Sequence, residues 1–174
     1  MTNQGDNQRF TIVRDVHGLE DGISGLIRAA FGGQEHEAIL VRQLRADGAM
    51  LVELTAVAGV VPVGHIAFSR LATQPQTFAL AALAPLSVAP AKQGRGIGSA
   101  LALAGLEACR AQGIAAVAVL GDPAYYGRFG FTLEAARLLD SAYSGPHFQA
   151  LALTPGALSG GPWTVRYPAA FGDL

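Results

Sequence analysis

The chain has 174 residues, 51% of them hydrophobic and only 14% charged, with a net charge of −1. That length supports one domain with its own core, expected to span residues 1–174, and the high apolar and low charged share excludes intrinsic disorder. The near-neutral balance argues against a nucleic-acid partner. The single cysteine, Cys109, excludes an internal disulfide and a cysteine-based metal site. Met1–Arg9 is polar and carries no apolar stretch of a secretory signal. The longest apolar run, Phe78–Ala91, is broken by Pro85 and Pro90 and falls short of the roughly 18 residues of a membrane span. A cytoplasmic protein without membrane association and without a metal is the expectation.

Arg9–Val16 reads as a first strand. Ile23, Leu26, Ile27 and Ala30 then repeat at helical spacing, predicting a helix of about 12 residues. Phe31-Gly32-Gly33 ends it, because glycine takes angles a helix cannot continue. Glu35–Arg45 is a second helix with Leu40, Val41 and Leu44 inward. Met50–Val57 and Val60–Ser69 form a hairpin around Ala58-Gly59. Phe78–Val88 is nearly all apolar, as in a strand covered on both faces.

A long helix marked by Ile97, Leu101, Ala104 and Ala108 follows, ending near Gly113, then a buried strand at Ile114–Leu120. Gly121-Asp122-Pro123 breaks that strand, and Asp122 is well placed to cap a short helix, Ala124–Phe129. Phe148–Leu153 and Thr164–Tyr167 read as closing strands around the turn-rich Thr154–Gly161. The fold class is α/β with an α+β mixed sheet, a central sheet flanked by helices. Its first half is an antiparallel meander. One right-handed crossover then makes Phe78–Val88 and Ile114–Leu120 parallel.

The most informative stretch joins that crossover: Val88-Ala89-Pro90-Ala91-Lys92-Gln93-Gly94-Arg95-Gly96-Ile97-Gly98-Ser99. A buried strand stops and a helix starts among glycines that hold no ligand away. The first helical N–H groups have no partner in the helix and sit at the positive end of its dipole. Such a turn suits a phosphate or pyrophosphate. It does not spell a dinucleotide fingerprint, since Ser99 stands where a third glycine is needed, nor a P-loop.

Gln93-x-x-Gly96-x-Gly98 after Val88-x-Pro90 resembles the acyl-CoA signature of the GNAT superfamily of N-acetyltransferases. Downstream, Tyr125-Tyr126-Gly127-Arg128-Phe129-Gly130-Phe131 resembles the family's second signature. The wording Val119-Leu120-Gly121-Asp122-Pro123-Ala124-Tyr125-Tyr126 and the ending Tyr167-Pro168-Ala169-Ala170-Phe171 are similar to its YhbS-like branch. The resemblance implies a GNAT-like fold and direct acetyl transfer from acetyl-CoA, the cosubstrate, to a primary amine. It places the pyrophosphate on the backbone of Gln93, Gly94, Arg95, Gly96, Ile97, Gly98 and Ser99. It places pantetheine along the backbone of Leu86, Ser87 and Val88, with an N–H near Val88 polarising the thioester carbonyl. Tyr126 takes the position of the family's general acid.

The base is left open. Phe78–Val88 carries no acid where many relatives have a glutamate. Glu35, His36 and Glu37 stand where the family lines its acceptor pocket, and His65 and His147 are further candidates, beside a water chain with no dedicated base. The acceptor is expected against the first two helices and the Leu151–Trp163 region. Trp163 and its apolar flanks point either to a partly hydrophobic acceptor or to a subunit contact in a homodimer. Two alternatives remain: a CoA-binding sensor without catalysis, and a dinucleotide-binding oxidoreductase with Gly94 and Gly96 on the phosphates and Asp122 on a ribose.

Overall fold

The computed structural model describes residues 9–172. The polar start read for a secretory signal lies, but for Arg9, outside them. The elements run β1 (Thr11–Val13), α1 (Glu20–Ala30), α2 (His36–Ala46), β2 (Met50–Ala58), β3 (Val61–Gln74), β4 (Leu80–Val88), α3 (Ile97–Ala111), β5 (Ala116–Leu120), α4 (Pro123–Tyr126), α5 (Leu133–Ala136), β6 (Leu139–Asp140), β7 (Phe148–Ala152) and β8 (Trp163–Arg166). No described helix is long and apolar enough to cross a membrane.

The sheet order is β1-β2-β3-β4-β5-β7. β1 to β4 pair antiparallel, β4 and β5 pair parallel, and β7 returns antiparallel on β5. This is the expected meander followed by one crossover, with α3 as the crossing helix. The first strand is shorter than the Arg9–Val16 reading, and β4 starts at Leu80 rather than Phe78.

Three features depart from the expectation. β3 does not stop at Ser69. It continues to Gln74, and Ala72–Gln74 pair with Thr164–Arg166 of β8. The two closing strands therefore do not pair with each other: β7 joins β5, whereas β8 joins the far end of β3 and the two-residue β6. The third is α5, whose signal was present in Thr132, an N-cap whose Oγ1 accepts from Ala135 N at 3.0 Å.

α3 lies close on the sheet because its contact points lack side chains. A Cβ on Gly105 would stand 2.3 Å from the buried Phe68 ring, and one on Gly64 2.6 Å from Ile97. On this face Leu54, Ile66, Phe68, Leu101 and Val117 form one apolar cluster. On the other face Ile23 and Ile27 of α1 and Val41 of α2 pack over Ala67. Cys109 is buried in α3, where burial raises its thiol to about 12, so it is a packing residue.

Candidate functional site

The site begins where two strands part. Parallel pairing of β4 with β5 runs from Leu80↔Ala116 to Leu83↔Val119 and stops there. β4 continues to Val88, held only by β3. The β3–β4 register shifts between Ile66 and Phe68, leaving Ala84 and Pro85 opposite Ala67 alone. Pro85 has no N–H to offer a neighbouring strand. Beyond the bulge, Ala89 N donates to Val63 O at 2.9 Å. Antiparallel alternation then turns Ser87 toward His65 and the backbone groups of Leu86 and Val88 to the open edge. Val88 O accepts from Gln93 Nε2 at 3.2 Å, which ties the glycine turn to the strand end.

The turn is built on glycine geometry. Gly94 and Gly96 have φ of +72° and +84°, and Gly96 is the N-cap of α3. With no capping side chain, the N–H groups of Ile97, Gly98 and Ser99 remain free at the positive helix end. A cavity of about 510 Å³ opens over them. Of the residues expected at CoA, Leu86, Val88, Gln93, Gly94 and Gly96 line it, as do Ile97, Gly98 and Ser99. Arg95 is not on the wall, and the buried Ser87 side chain faces away from it. The cations on the wall are Lys92 and Arg128.

Arg128 is not among the site candidates read from the sequence, though it lies inside the second motif and lines this cavity. Its guanidinium stands over the Tyr125 ring, and Nη2 donates to Ser99 Oγ at 2.6 Å. Tyr125 packs edge-on against Tyr126 and Phe129, as expected of a packing residue, and its hydroxyl fills the space where a Cβ on Gly98 would stand, 2.7 Å away.

A second cavity of about 560 Å³ lies at the strand split. Leu86 and Tyr126 line both cavities and mark their junction. Burial, and then the neighbouring Tyr125, push the Tyr126 hydroxyl up to about 12. It is therefore a fully protonated donor at ordinary pH. Gly121 makes room for it, since a Cβ there would meet the Tyr126 ring at 2.5 Å.

The base candidates separate. Glu35 lies outside this cavity, half exposed and ion-paired with Arg28 at 3.2 Å. His65 is fully buried on β3, with Nε2 2.7 Å from Glu53 Oε1, and it lines neither cavity. Glu53 is in turn bound by Arg45, whose Nε donates at 3.0 Å. His147 is exposed and off both walls. His36 and Glu37 are the members of the α2 start that reach the cavity, and Glu37 Oε2 is shut from solvent without a hydrogen-bond partner.

Trp163 is also elsewhere. It is buried, edge-on to Phe78, with Nε1 donating to Thr77 Oγ1 at 2.9 Å. It supports neither an acceptor wall nor an exposed subunit contact. The aromatic part of the second cavity's wall is instead Tyr143, Tyr167 and Phe171. Asp122 caps α4, its Oδ1 accepting from Ala124 N at 2.9 Å, so the dinucleotide alternative loses its ribose carboxylate. Among the described residues no group of three His, Cys, Asp or Glu is arranged to hold a metal.

Comparison with known proteins agrees with this geometry. Residues 22–131 match the model of the acetyltransferase (GNAT) family. The chain is 38% identical over 150 residues to the uncharacterized N-acetyltransferase YhbS of Escherichia coli strain K12, covering 84% of this chain and 89% of that protein. The crystal structure of Escherichia coli YhbS in complex with CoA is similar with a TM-score of 0.90 and 33% identity, covering 100% of this chain and 97% of the other. A GNAT acetyltransferase from Brucella melitensis in complex with acetyl-CoA is similar at 0.80 and 32% identity, covering 94% and 99%. A strand split beside a glycine-led helix start, matched over most of the chain, makes this protein a member of the GNAT family of acetyltransferases.

Proposed function

We propose that the chain transfers acetyl from acetyl-CoA to a primary amine by direct attack, and that residues 1–174 act as one catalytic unit. The observation that carries this reading is the junction of the two cavities at Leu86 and Tyr126. A CoA pyrophosphate on the N–H groups of Ile97, Gly98 and Ser99, with Lys92 and Arg128 beside it, directs the pantetheine along the open edge of β4. The thioester then reaches the junction, and the amine approaches from the second cavity.

The neutral amine attacks the carbonyl carbon. The oxyanion forms within reach of the Val88 N–H on the open edge. The C–S bond then breaks and the sulfur leaves. Tyr126, at about 12, lies well above the roughly 8.5 of an ordinary thiol. It serves chiefly as a hydrogen-bond donor to the departing sulfur, and any proton it transfers returns to it.

The test is thermal unfolding with acetyl-CoA, NAD or ATP, followed by thiol release with an amine panel. Acetyl-CoA at about 100 times its Kd stabilises by roughly 2.7 kcal/mol, and NAD and ATP do not. A shift with NAD instead removes the reading. A shift with acetyl-CoA without thiol release on any amine makes the chain a CoA sensor.

A further inference from the structure

The second cavity has an uneven chemistry. Glu37 is the one carboxylate on its wall among the described residues, and no Lys or Arg of that set lines it. The Glu37 side chain comes from the first turn of α2, with Oε2 sealed from solvent and unpartnered. Glu37 lines the cavity, so its carboxylate is the one acidic group among the described residues offered there to a cationic or N–H donor ligand.

Another part of the wall is aromatic and interlocked. Tyr143 meets Tyr167 edge-on at 4.7 Å, and Tyr167 meets Phe171 edge-on at 4.9 Å. Phe171 and Leu40 are buried yet line the cavity, so its inner part is walled. A ligand body there meets aromatic and aliphatic surface and, near its amine, one carboxylate.

We propose that the acceptor is a small primary monoamine with an aromatic or branched apolar body and no acidic group, its nitrogen held at Glu37. The proposal rests on the acetyltransferase reading above. A carboxylate on the acceptor would lose its water beside Glu37 with no Lys or Arg on the wall, and only the exposed His36 imidazole, to meet it. A polyamine would bring further charges into a wall that offers one acid. An apolar body loses water to aromatic faces, which also attract a nearby ammonium.

The chemistry balances. The ammonium gives one proton to the Glu37 carboxylate, and the freed lone pair attacks the thioester carbonyl. As the C–S bond breaks, the amide nitrogen sheds its second proton. One proton neutralises the CoA thiolate and the other leaves to solvent.

Four probe amines separate the terms: phenethylamine, phenylalanine, ethylamine and spermidine. Each is assayed for thiol release from acetyl-CoA and titrated calorimetrically into the CoA-loaded protein. Phenethylamine is expected to exceed phenylalanine in kcat/KM by at least about 100-fold, and ethylamine by about 10-fold or more. Glu37→Gln is expected to lower kcat/KM for phenethylamine by about 100-fold, leave the KM for acetyl-CoA unchanged and abolish calorimetric binding of the amine. Glu37→Asp restores part of both.

Phenylalanine or spermidine turned over as well as phenethylamine overturns the acceptor class while leaving the acetyltransferase reading intact. Glu37→Gln with wild-type amine binding overturns the anchor. Acetyl-CoA binding with no thiol release on any of the four overturns the acceptor class, and the sensor outcome then turns on the wider panel above.

Discussion

Arg128 reaches back across 29 residues of sequence to donate from Nη2 to Ser99 Oγ at 2.6 Å, while its guanidinium lies 4.8 Å from the centre of the Tyr125 ring. The second motif thus places a cation at the start of the helix opened by the first. Arg128→Ala is expected to weaken CoA binding by about 10-fold in calorimetry, and the loss shrinks as salt rises. Arg95→Ala, off the cavity wall, is expected to stay within about twofold of the parent protein. Equal losses for the two variants would move the phosphates away from Arg128.

Two glycines of α3 separate binding from folding. At Gly98 a Cβ would stand 2.7 Å from the Tyr125 hydroxyl, which is itself held among Tyr126, Phe129 and Arg128. Gly98→Ala is expected to displace Tyr125 into the CoA cavity and cut CoA affinity by about 10-fold or more with little change in Tm. At Gly105 the Cβ would stand 2.3 Å from the Phe68 ring in the core. Gly105→Ala is expected to cost about 1–3 kcal/mol of stability and to leave CoA affinity unchanged in the folded fraction. Urea unfolding and calorimetry on both variants check the pair.

These positions show what the sequence could and could not convey. Helices α1 to α3, the hairpin and the crossover are legible because each buries one side at a regular period, as Ile23, Leu26 and Ile27 do. The glycine turn is legible because the motif names the residues whose backbone matters. The extension of β3 to Gln74 is not, since Ala72–Gln74 pair with a strand some 90 residues later. The α2 start shows the same limit within the site. Glu35, His36 and Glu37 are adjacent in sequence, and only the helix entry angle sends Glu35 to Arg28 and Glu37 to the cavity. His65 stands among the base candidates of the sequence because its partner, Glu53, lies on the neighbouring strand and is not adjacent in sequence.

Glu53 predicts an acid sensitivity. Burial pushes its carboxyl up, but the hydrogen bond to His65 and the bonds from Arg45 outweigh that and hold it at about 2, against an ordinary 4.5. Between those values the unfolded chain binds the proton and the folded chain does not, so stability falls as pH drops. The contribution is complete above about pH 5, and about 2 kcal/mol of it is lost by pH 3. Glu53→Gln is expected to lower stability at pH 7 and to flatten the pH 3–5 part of the urea-midpoint profile. A variant profile parallel to that of the parent protein would remove Glu53 as the source.

Tyr126 predicts an insensitivity on the alkaline side. Its hydroxyl, raised by burial and by Tyr125 to about 12, stays protonated through pH 10. Its folded form holds the proton more tightly than the unfolded form, so its own contribution to stability is lost only as pH rises from about 10 toward 12. The kcat profile of the parent protein should therefore show no fall from Tyr126 below about pH 11. Tyr126→Phe removes the hydroxyl proposed to face the departing sulfur while keeping the ring against Phe131 and Tyr125. Turnover is expected to drop by about 100-fold, with the KM for acetyl-CoA and the acid limb of the profile unchanged. Wild-type turnover in this variant would transfer the acid role to water. A rise in the KM for acetyl-CoA with constant kcat would make Tyr126 a wall of the thioester pocket rather than a donor.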